Sequence, residues 1–352
     1  MSEKPVRVGI IGAGANTRSR HIPGFRAVSG VEVTGVVNRS PESSAKAAKE
    51  FGIPKVYANW QAVVEDPNVD AVCIGTWPNM HCEITCAALN AGKHVLVEAR
   101  MARNAAEAQQ MHAASLANPG LIAQIVPSPF GLIQNPFIKS LEDHSFIGQL
   151  REVVVIGADS IYWDYTEYLH WRQDARISGH NVLTLGILHE TLSRWIPPTT
   201  RVFAQTSFFE RQRPLENSQG LVDVTVPDSV QIVTLIDGGA RGIYHQSSIS
   251  LFGPGKQIHL YGSRGTIKYI MTPDEQLFCG RPEDKELKLV NIPEAQRGGW
   301  RVEAEFIAAV RGQDKVYHTD FATGVRYMEF TEAVARSAAL NLPVDLPLKN
   351  LG

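Results

Sequence analysis

Short apolar runs alternate with amphipathic stretches over the first third of the chain. Arg7 to Ile11, Glu32 to Val37, Ala71 to Gly75, His94 to Glu98 and Leu121 to Val126 predict strands. Between them, Ser40-Pro41-Glu42-Ser43 followed by Ala45, Ala47, Ala48 and Phe51 predicts a capped helix ended by Gly52 and Pro54. Cys82 to Leu89 predicts another, stopped by Asn90-Ala91-Gly92. Strand and helix alternating at this length imply a parallel sheet with right-handed crossovers. After about residue 125 strand-like runs follow one another without intervening helices: Leu150 to Ala158, Thr200 to Ser207, Ser229 to Asp237, Arg241 to Ile249, Lys256 to Tyr261 and Thr266 to Ile270. Asp237-Gly238-Gly239-Ala240 is a hairpin signal. A largely antiparallel sheet is therefore expected in a second domain, with helices near Val182 to Trp195 and Val302 to Val310, and a last helical pattern from Gly324 to Leu340 before Pro343-Val344. The pattern divides the chain into residues 1–125 and 126–352, an α/β organisation.

The first strand carries the most informative chemistry. Val8-Gly9-Ile10-Ile11-Gly12-Ala13-Gly14-Ala15-Asn16-Thr17 is an apolar run that breaks into two glycines one residue apart. Gly12 permits a tight turn, and Gly14 has no side chain to block a pyrophosphate. Ala15 and Asn16 lead into a helix whose N-terminus receives the anion. Thr17 stands where the third glycine of the Rossmann fingerprint belongs, so the motif is incomplete. It predicts a dinucleotide cofactor, NAD or NADP. The second strand ends Val36-Val37-Asn38-Arg39-Ser40, without the acid that usually tests the adenosine ribose. Arg39 is suited to stack on adenine or pair with a 2′-phosphate, and Ser40 to donate to either, so NADP is permitted and slightly favoured. The other reading leaves Arg39 as a solvated turn residue and puts Asn38 on the ribose of NAD.

Composition narrows the partners. At 352 residues the chain suits two domains with full cores. It is 44% apolar and 20% charged with a net charge of −2, which gives no electrostatic reason to expect nucleic acid or an anionic membrane surface. No apolar stretch reaches the roughly 18 residues of a membrane span, and Met1 to Pro5 runs into a strand without a signal segment. A cytoplasmic location is expected, with small molecules or copies of the chain itself as partners. Cys73, Cys82, Cys86 and Cys279 show no CxxC pairing or disulfide framework. Cys82 and Cys86 lie four apart on a predicted helix, but no further ligands follow, so they read as reduced structural thiols and no metal is expected.

Several segments together resemble the Gfo/Idh/MocA family of nicotinamide-dependent sugar and cyclitol oxidoreductases, nearly end to end. Besides the glycine turn, Val72-Cys73-Ile74-Gly75-Thr76-Trp77-Pro78-Asn79-Met80-His81 resembles the family's strand-loop bearing Thr and His. Ala88-Leu89-Asn90-Ala91-Gly92-Lys93-His94-Val95-Leu96-Val97-Glu98 matches the run before its Glu-Lys-Pro signature. Trp171-Arg172-Gln173-Asp174 with Ser178-Gly179 resembles the entrance to its catalytic helix. Phe146 to Leu150, Tyr261 to Ile267 and Ser337-Ala338-Ala339 follow in the expected order. The resemblance implies an N-terminal Rossmann domain, a C-terminal α/β domain with a large open antiparallel sheet, and homodimers or homotetramers through that sheet. It places Thr76, Trp77 and His81 in the nicotinamide-side loop and Glu98 beside the nicotinamide ribose. A buried Glu98 without a partner would be costly, which supports a role in a site.

The same resemblance exposes a departure. Hydride transfer from a carbinol needs a base for the hydroxyl proton, and the family usually supplies it from a lysine after the glutamate, with an Asp and a His one helical turn apart. Here the chain reads Glu98-Ala99-Arg100. Ala99 cannot ionise, and the Arg100 guanidinium stays protonated. Gapless alignment from Gly186 puts Thr184 and Leu188 at the family's Asp and His; a one-residue slip puts His189 at the histidine and Leu185 at the aspartate. Either way the acid is missing. His189 is the first candidate for acid/base work, because an imidazole titrates near neutrality; a satisfied structural histidine is the bland alternative. His180, at the helix entrance, is the next, and Asp174 the third. Arg172 and Arg176 flank Asp174 as candidate substrate contacts or solvated loop charge. Tyr162 and Trp163, with Tyr165, form an aromatic cluster suited to stack on a pyranose face or to pack in a core or interface.

The leading expectation is an NAD(P)-dependent dehydrogenase or reductase acting at a ring CH–OH of a carbohydrate. The first alternative is a glycosidase that keeps NAD bound, oxidises a sugar hydroxyl transiently, eliminates the aglycone and restores the hydride, with Arg172, Arg176 and Arg100 serving an anionic sugar. The second is a cofactor-binding regulatory or scaffold protein without turnover.

Overall fold

Val8 and Ile10 have no solvent exposure and Ile11 almost none, because the strand they form, β1 (Val6–Ile11), lies at the centre of a parallel sheet covered on both faces. The computed structural model describes residues 4–143, 145–216 and 220–349, so the opening Met1-Ser2-Glu3 lies outside the described residues. With β1 go β2 (Val31–Val37), β3 (Lys55–Val56), β4 (Ala71–Ile74), β5 (His94–Val97) and β6 (Ala123–Ile125), in the order β3-β2-β1-β4-β5-β6. Every pairing is parallel. The order reverses between β1 and β4, and the crevice beyond the carboxyl ends of two such strands is where open α/β sheets take ligands.

The connections are α1 (Ile22–Ala27), entered through a π-helical turn Thr17–His21, then α2 (Pro41–Phe51), α3 (Trp60–Glu65), α4 (His81–Asn90) and α5 (Ala105–Ala117). Helix α2 starts as its sequence predicts. Ser40 caps it by accepting from the Ser43 amide at 3.2 Å, and Gly52 ends it in the left-handed region at φ +54°.

The second unit is built on a nine-stranded sheet. Its strands are β7 (Leu150–Ala158), β8 (Thr199–Ser207), β11 (Ser229–Ile236), β12 (Arg241–Ser247), β13 (Gly255–Gly262), β14 (Thr266–Ile270), β15 (Gln276–Gly280), β16 (Lys288–Leu289) and β17 (Val344–Asp345); a separate two-stranded ribbon pairs β9 (Gln212–Pro214) with β10 (Leu221–Asp223). The order is β16-β15-β14-β13-β7-β12-β11-β8-β17, antiparallel except where β12 runs parallel to β7. The predicted hairpin joins β11 to β12, with Gly238 and Gly239 at φ +84° and +90°, a conformation that side chains rarely adopt. One face of the sheet is buried under α6 (Asn135–Asp143) and α8 (Leu185–Ser193), where Leu185, Leu188 and Leu192 meet Val153, Val155, Ile232 and Ile258. A one-turn helix, α7 (Ala175–Ser178), precedes α8.

The chain then returns to the first unit with α9 (Val302–Val310), before α10 (Phe321–Leu340) contributes Phe330, Ala333 and Val334 to the second core. The compact units are therefore the chain up to Pro127 with Arg301–Val325, and Ser128–Trp300 with the chain from Arg326 on. This corrects the expectation that the helix at Val302 to Val310 belongs with the second sheet. It packs on α1, and the segment behind it pairs with β6, the Ile125 amide donating to the Thr319 carbonyl at 3.0 Å. No described helix is long and apolar enough to cross a membrane.

Candidate functional site

The glycine turn is built for close approach. At Gly12, φ is +90° and a side-chain carbon would lie 2.7 Å from the backbone of Gly75. Gly14 would meet nothing nearer than the Gly75 carbonyl at 3.5 Å, so the space before it is open. Thr17 takes the place of the third fingerprint glycine because the partner strand supplies the missing room. A Cβ on Gly75 would collide with Thr17 Oγ1 at 2.1 Å. Helix and strand still pack closely, with the glycine on the strand side. Thr17 Oγ1 and Thr76 Oγ1 are both buried without a hydrogen-bond partner among the described residues. Open backbone beside Gly14, with unpartnered hydroxyls in the helical turn (Thr17) and after β4 (Thr76), fits a phosphate-bearing dinucleotide.

Asn38 locks this turn to the end of β2. Its Oδ1 accepts from the Ala13 amide at 2.6 Å, its Nδ2 donates to the Ser43 carbonyl at 3.0 Å, and its backbone amide donates to Ser44 Oγ at 2.8 Å. Both ends of the side chain are therefore engaged in holding the cradle, which weakens the reading that Asn38 reaches an NAD ribose. Ser40 is engaged too, as the α2 cap. Arg39 is exposed, with its guanidinium 5.5 Å from the Trp77 ring centre, and Trp77 itself is 40% exposed. Indole and guanidinium form an open stacking surface beside the cradle.

Glu98, at the end of β5, is partnered on both oxygens. Oε1 accepts from Asn16 Nδ2 at 2.5 Å and lies 2.9 Å from His21 Nε2, while Oε2 accepts from the Ala99 amide at 3.2 Å. Burial pushes this carboxyl up, but the bonds from His21 and Asn16 outweigh it and hold Glu98 below the usual carboxylate range. Asn16 thus contributes to the site through Glu98, while Ala15 lies exposed in the turn. His81 has no solvent exposure. Its Nε2 lies 3.0 Å from the Thr76 carbonyl and its Nδ1 2.9 Å from the Arg100 carbonyl. It ties the loop after β4 to the loop after β5, so it shapes the site from behind.

The second unit holds the first acid/base candidate. His189 is stacked on Phe330 with ring centres 3.5 Å apart, and its Nδ1 lies 2.8 Å from Tyr244 Oη. Burial pulls its pKa down to about 3, which favours the neutral ring. Asp174 has local partners. It caps α7 by accepting from the Arg176 amide at 2.9 Å and forms an ion pair with the Arg176 guanidinium at 2.8 Å. Arg172 stacks on Trp171 at 4.2 Å. His180 and Trp163 are exposed, and Tyr162 Oη lies 2.9 Å from His170 Nδ1.

Sequence reasoning missed His21 and Glu303. The signal was present in the second: Glu303 interrupts the apolar stripe Val302, Phe306, Ile307 of a buried helix, where an unpaired carboxylate would be costly. No group of three or more potential metal ligands occurs among the described residues.

Comparison with known proteins identifies the two domains. A model described as "Oxidoreductase family, NAD-binding Rossmann fold" matches residues 6–121, and one described as the GFO/IDH/MocA C-terminal domain matches residues 138–268. The levoglucosan dehydrogenase of Pseudarthrobacter phenanthrenivorans is 23% identical over 354 aligned positions, covering 89% of each protein. The 1,5-anhydro-D-fructose reductase of Ensifer adhaerens is 41% identical over 105 residues, 30% of this chain and 31% of that one. Among solved structures, a levoglucosan dehydrogenase in complex with NADH and L-sorbose superimposes with a TM-score of 0.87 at 22% identity, over 97% of this chain and 99% of that one.

Proposed function

Because this chain belongs to the Gfo/Idh/MocA oxidoreductase family, with its NAD-binding Rossmann domain, we propose that it transfers a hydride at a ring CH–OH of a sugar, sugar derivative or cyclitol. The observation that carries the reading is the cradle itself: Gly12 without room for a side chain, open backbone beside Gly14, and a half-buried Glu98 fixed next to it. When bound, NAD or NADP supplies the hydride acceptor or donor. Backbone around Gly14 holds the pyrophosphate, Glu98 accepts from the nicotinamide ribose, and Arg39 stacks on the adenine or pairs with a 2′-phosphate. His180, exposed between α7 and α8, is the favoured candidate to handle the hydroxyl proton. Trp163, Tyr162 and Arg172 offer stacking faces and charge to the carbohydrate. The named relatives are a dehydrogenase and a reductase, so net redox is favoured over glycoside cleavage.

The open face of the second sheet supports self-association. Phe203, Val233, Ile243 and Val154 are directly paired across four strands, and Val233 and Ile243 are more than half exposed. Arg201, Arg241 and Glu152 rim this apolar row, the arrangement of an interface core with a polar margin. A homodimer or homotetramer through this face follows.

The test is incubation with NAD⁺ or NADP⁺ and a panel of free sugars, anhydrosugars, cyclitols and glycosides, read at the reduced-nicotinamide absorbance band. Net reduction by a free sugar supports the reading. Aglycone release without net reduction supports the glycosidase, and bound nucleotide with no turnover of any compound supports the non-enzymatic scaffold.

A further inference from the structure

His21 is a fully buried imidazole between two carboxylates, and the cradle alone does not account for it. Nδ1 lies 2.5 Å from Glu303 Oε1 and Nε2 lies 2.9 Å from Glu98 Oε1. A neutral imidazole has one N–H and can donate to only one of them; donating to both requires the imidazolium. Several elements face the ring, and Asn16 Nδ2 lies 3.3 Å from Nε2 as well as 2.5 Å from Glu98 Oε1. Glu98 comes from the end of β5, Glu303 from α9, and the Asn16 amide from the turn after β1. The Cys73 thiol on β4 is held protonated by burial and by the two carboxylates, and His81 on α4 is pushed towards its neutral form by burial. Burial opposes the charge on His21, but its hydrogen bonds to Glu303 and Glu98 overcome it and raise the group to about 9. The backbone makes room for the arrangement: a side chain on Gly24, one turn along from His21, would lie 2.6 Å from the Glu303 carboxylate.

We propose that His21, kept cationic by Glu303, is a positioning residue that fixes the Glu98 carboxylate for a ribose hydroxyl of the nicotinamide dinucleotide. His21 and Asn16 together claim Oε1. Oε2, which accepts the Ala99 amide, keeps a second lone-pair site for a hydroxyl donor. Glu303 stands behind the histidine and reaches it only because the chain returns to the first unit after Trp300. The returning segment therefore contributes to cofactor binding without touching the cofactor. The inference rests on the reading of Glu98 as a ribose contact.

The test is titration of the full-length protein with NADH and with NADPH, followed by nicotinamide fluorescence from pH 6 to 10, for wild type, His21→Asn and Glu303→Gln. Wild type is expected to bind with constant affinity to about pH 8 and to weaken about tenfold as His21 loses its proton. His21→Asn is expected to bind about tenfold more weakly at pH 7 with no alkaline limb. Glu303→Gln keeps an acceptor for His21 but removes its charge, so the limb is expected to move at least one pH unit towards neutrality. If His21→Asn does not fold, Glu303→Gln alone decides. Variants that bind as wild type does at every pH, with only a lowered Tm, overturn the inference. Wild-type protein that binds neither nucleotide overturns the site reading and, with it, the inference.

Discussion

The His189 ring lies on the Phe330 ring with planes 2° from parallel and centres 3.5 Å apart, while its Nδ1 meets the Tyr244 hydroxyl at 2.8 Å. A histidine so enclosed is a packing residue with one polar duty, to satisfy a buried phenol. His189→Leu preserves most of the volume but leaves Tyr244 unpaired, which costs about 1–3 kcal/mol. Denaturant melts should show that loss, and the pH profile of turnover should not change near neutrality. His180→Ala is expected to do the opposite, lowering kcat by roughly 10²–10⁴ with little change in stability. A pH profile altered by His189→Leu and untouched by His180→Ala would reverse the assignment.

The two buried histidines act in opposite directions on stability. For His189 the folded protein prefers the neutral ring, with a pKa near 3 against 6.5 unfolded. Its contribution is complete above about pH 6.5 and is lost as pH falls from there towards 3. For His21 the folded protein prefers the cation, with a pKa near 9; its contribution is complete below about pH 6.5 and is lost as pH rises through 9. Thermal melts across pH 4 to 10 should therefore show a plateau around pH 7. His189→Leu should flatten the acid side, and His21→Asn the alkaline side.

Much of the fold could be read from hydrophobic pattern because the strands are bounded by chemistry that pattern detects. β7 and β14 begin and end where the runs at Leu150 to Ala158 and Thr266 to Ile270 do, and Gly238-Gly239 marks the β11–β12 hairpin. The site was legible where backbone decides, at Gly12 and Gly14, and illegible where pairing across the chain decides. His21 and Glu303 are separated by 282 positions and meet only after the chain re-enters the first unit. For His189 the limit was similar: periodicity placed it on a helix but could not show that the ring lies against Tyr244 and Phe330. Asn38 carries a function in the turn that its position at a strand end suggested for the ribose.

Cofactor preference should follow Arg39. It is an exposed cation beside the cradle, over the face of Trp77, and β2 ends without an acid to repel a 2′-phosphate. Arg39→Ala is expected to weaken NADPH about tenfold and NADH less, measured as separate Kd values by fluorescence titration. Equal losses for the two nucleotides would make Arg39 an adenine-stacking residue with no part in phosphate selection.

The open sheet face should hold copies of the chain together through the row that contains Val233 and Ile243. A glutamate introduced at Ile243 lies beside Val233 and Val154 on neighbouring strands and places a charge in the middle of the apolar row without entering the core. Ile243→Glu is expected to shift the protein to monomers in light scattering, with the circular dichroism spectrum unchanged. An unaltered mass would remove this face as the interface.

Gly24 tests the support beneath the cofactor site from the backbone side. In an ordinary helix, alanine for glycine stabilises by about 1 kcal/mol. Here the added methyl meets the Glu303 carboxylate at 2.6 Å, and that carboxylate cannot swing aside without breaking its bond to His21. Crowding of this kind costs about 1–3 kcal/mol, enough to cancel or outweigh the gain in propensity. Gly24→Ala is therefore expected to lower or leave unchanged the Tm and to weaken NADH binding through Glu98. Gly24→Ala combined with Glu303→Ala removes the clash, so its stability should exceed that of Glu303→Ala alone by the normal helix increment. If Gly24→Ala stabilises the otherwise unaltered protein by the full increment, the carboxylate has room to move and the His21–Glu303 contact is not the rigid support described.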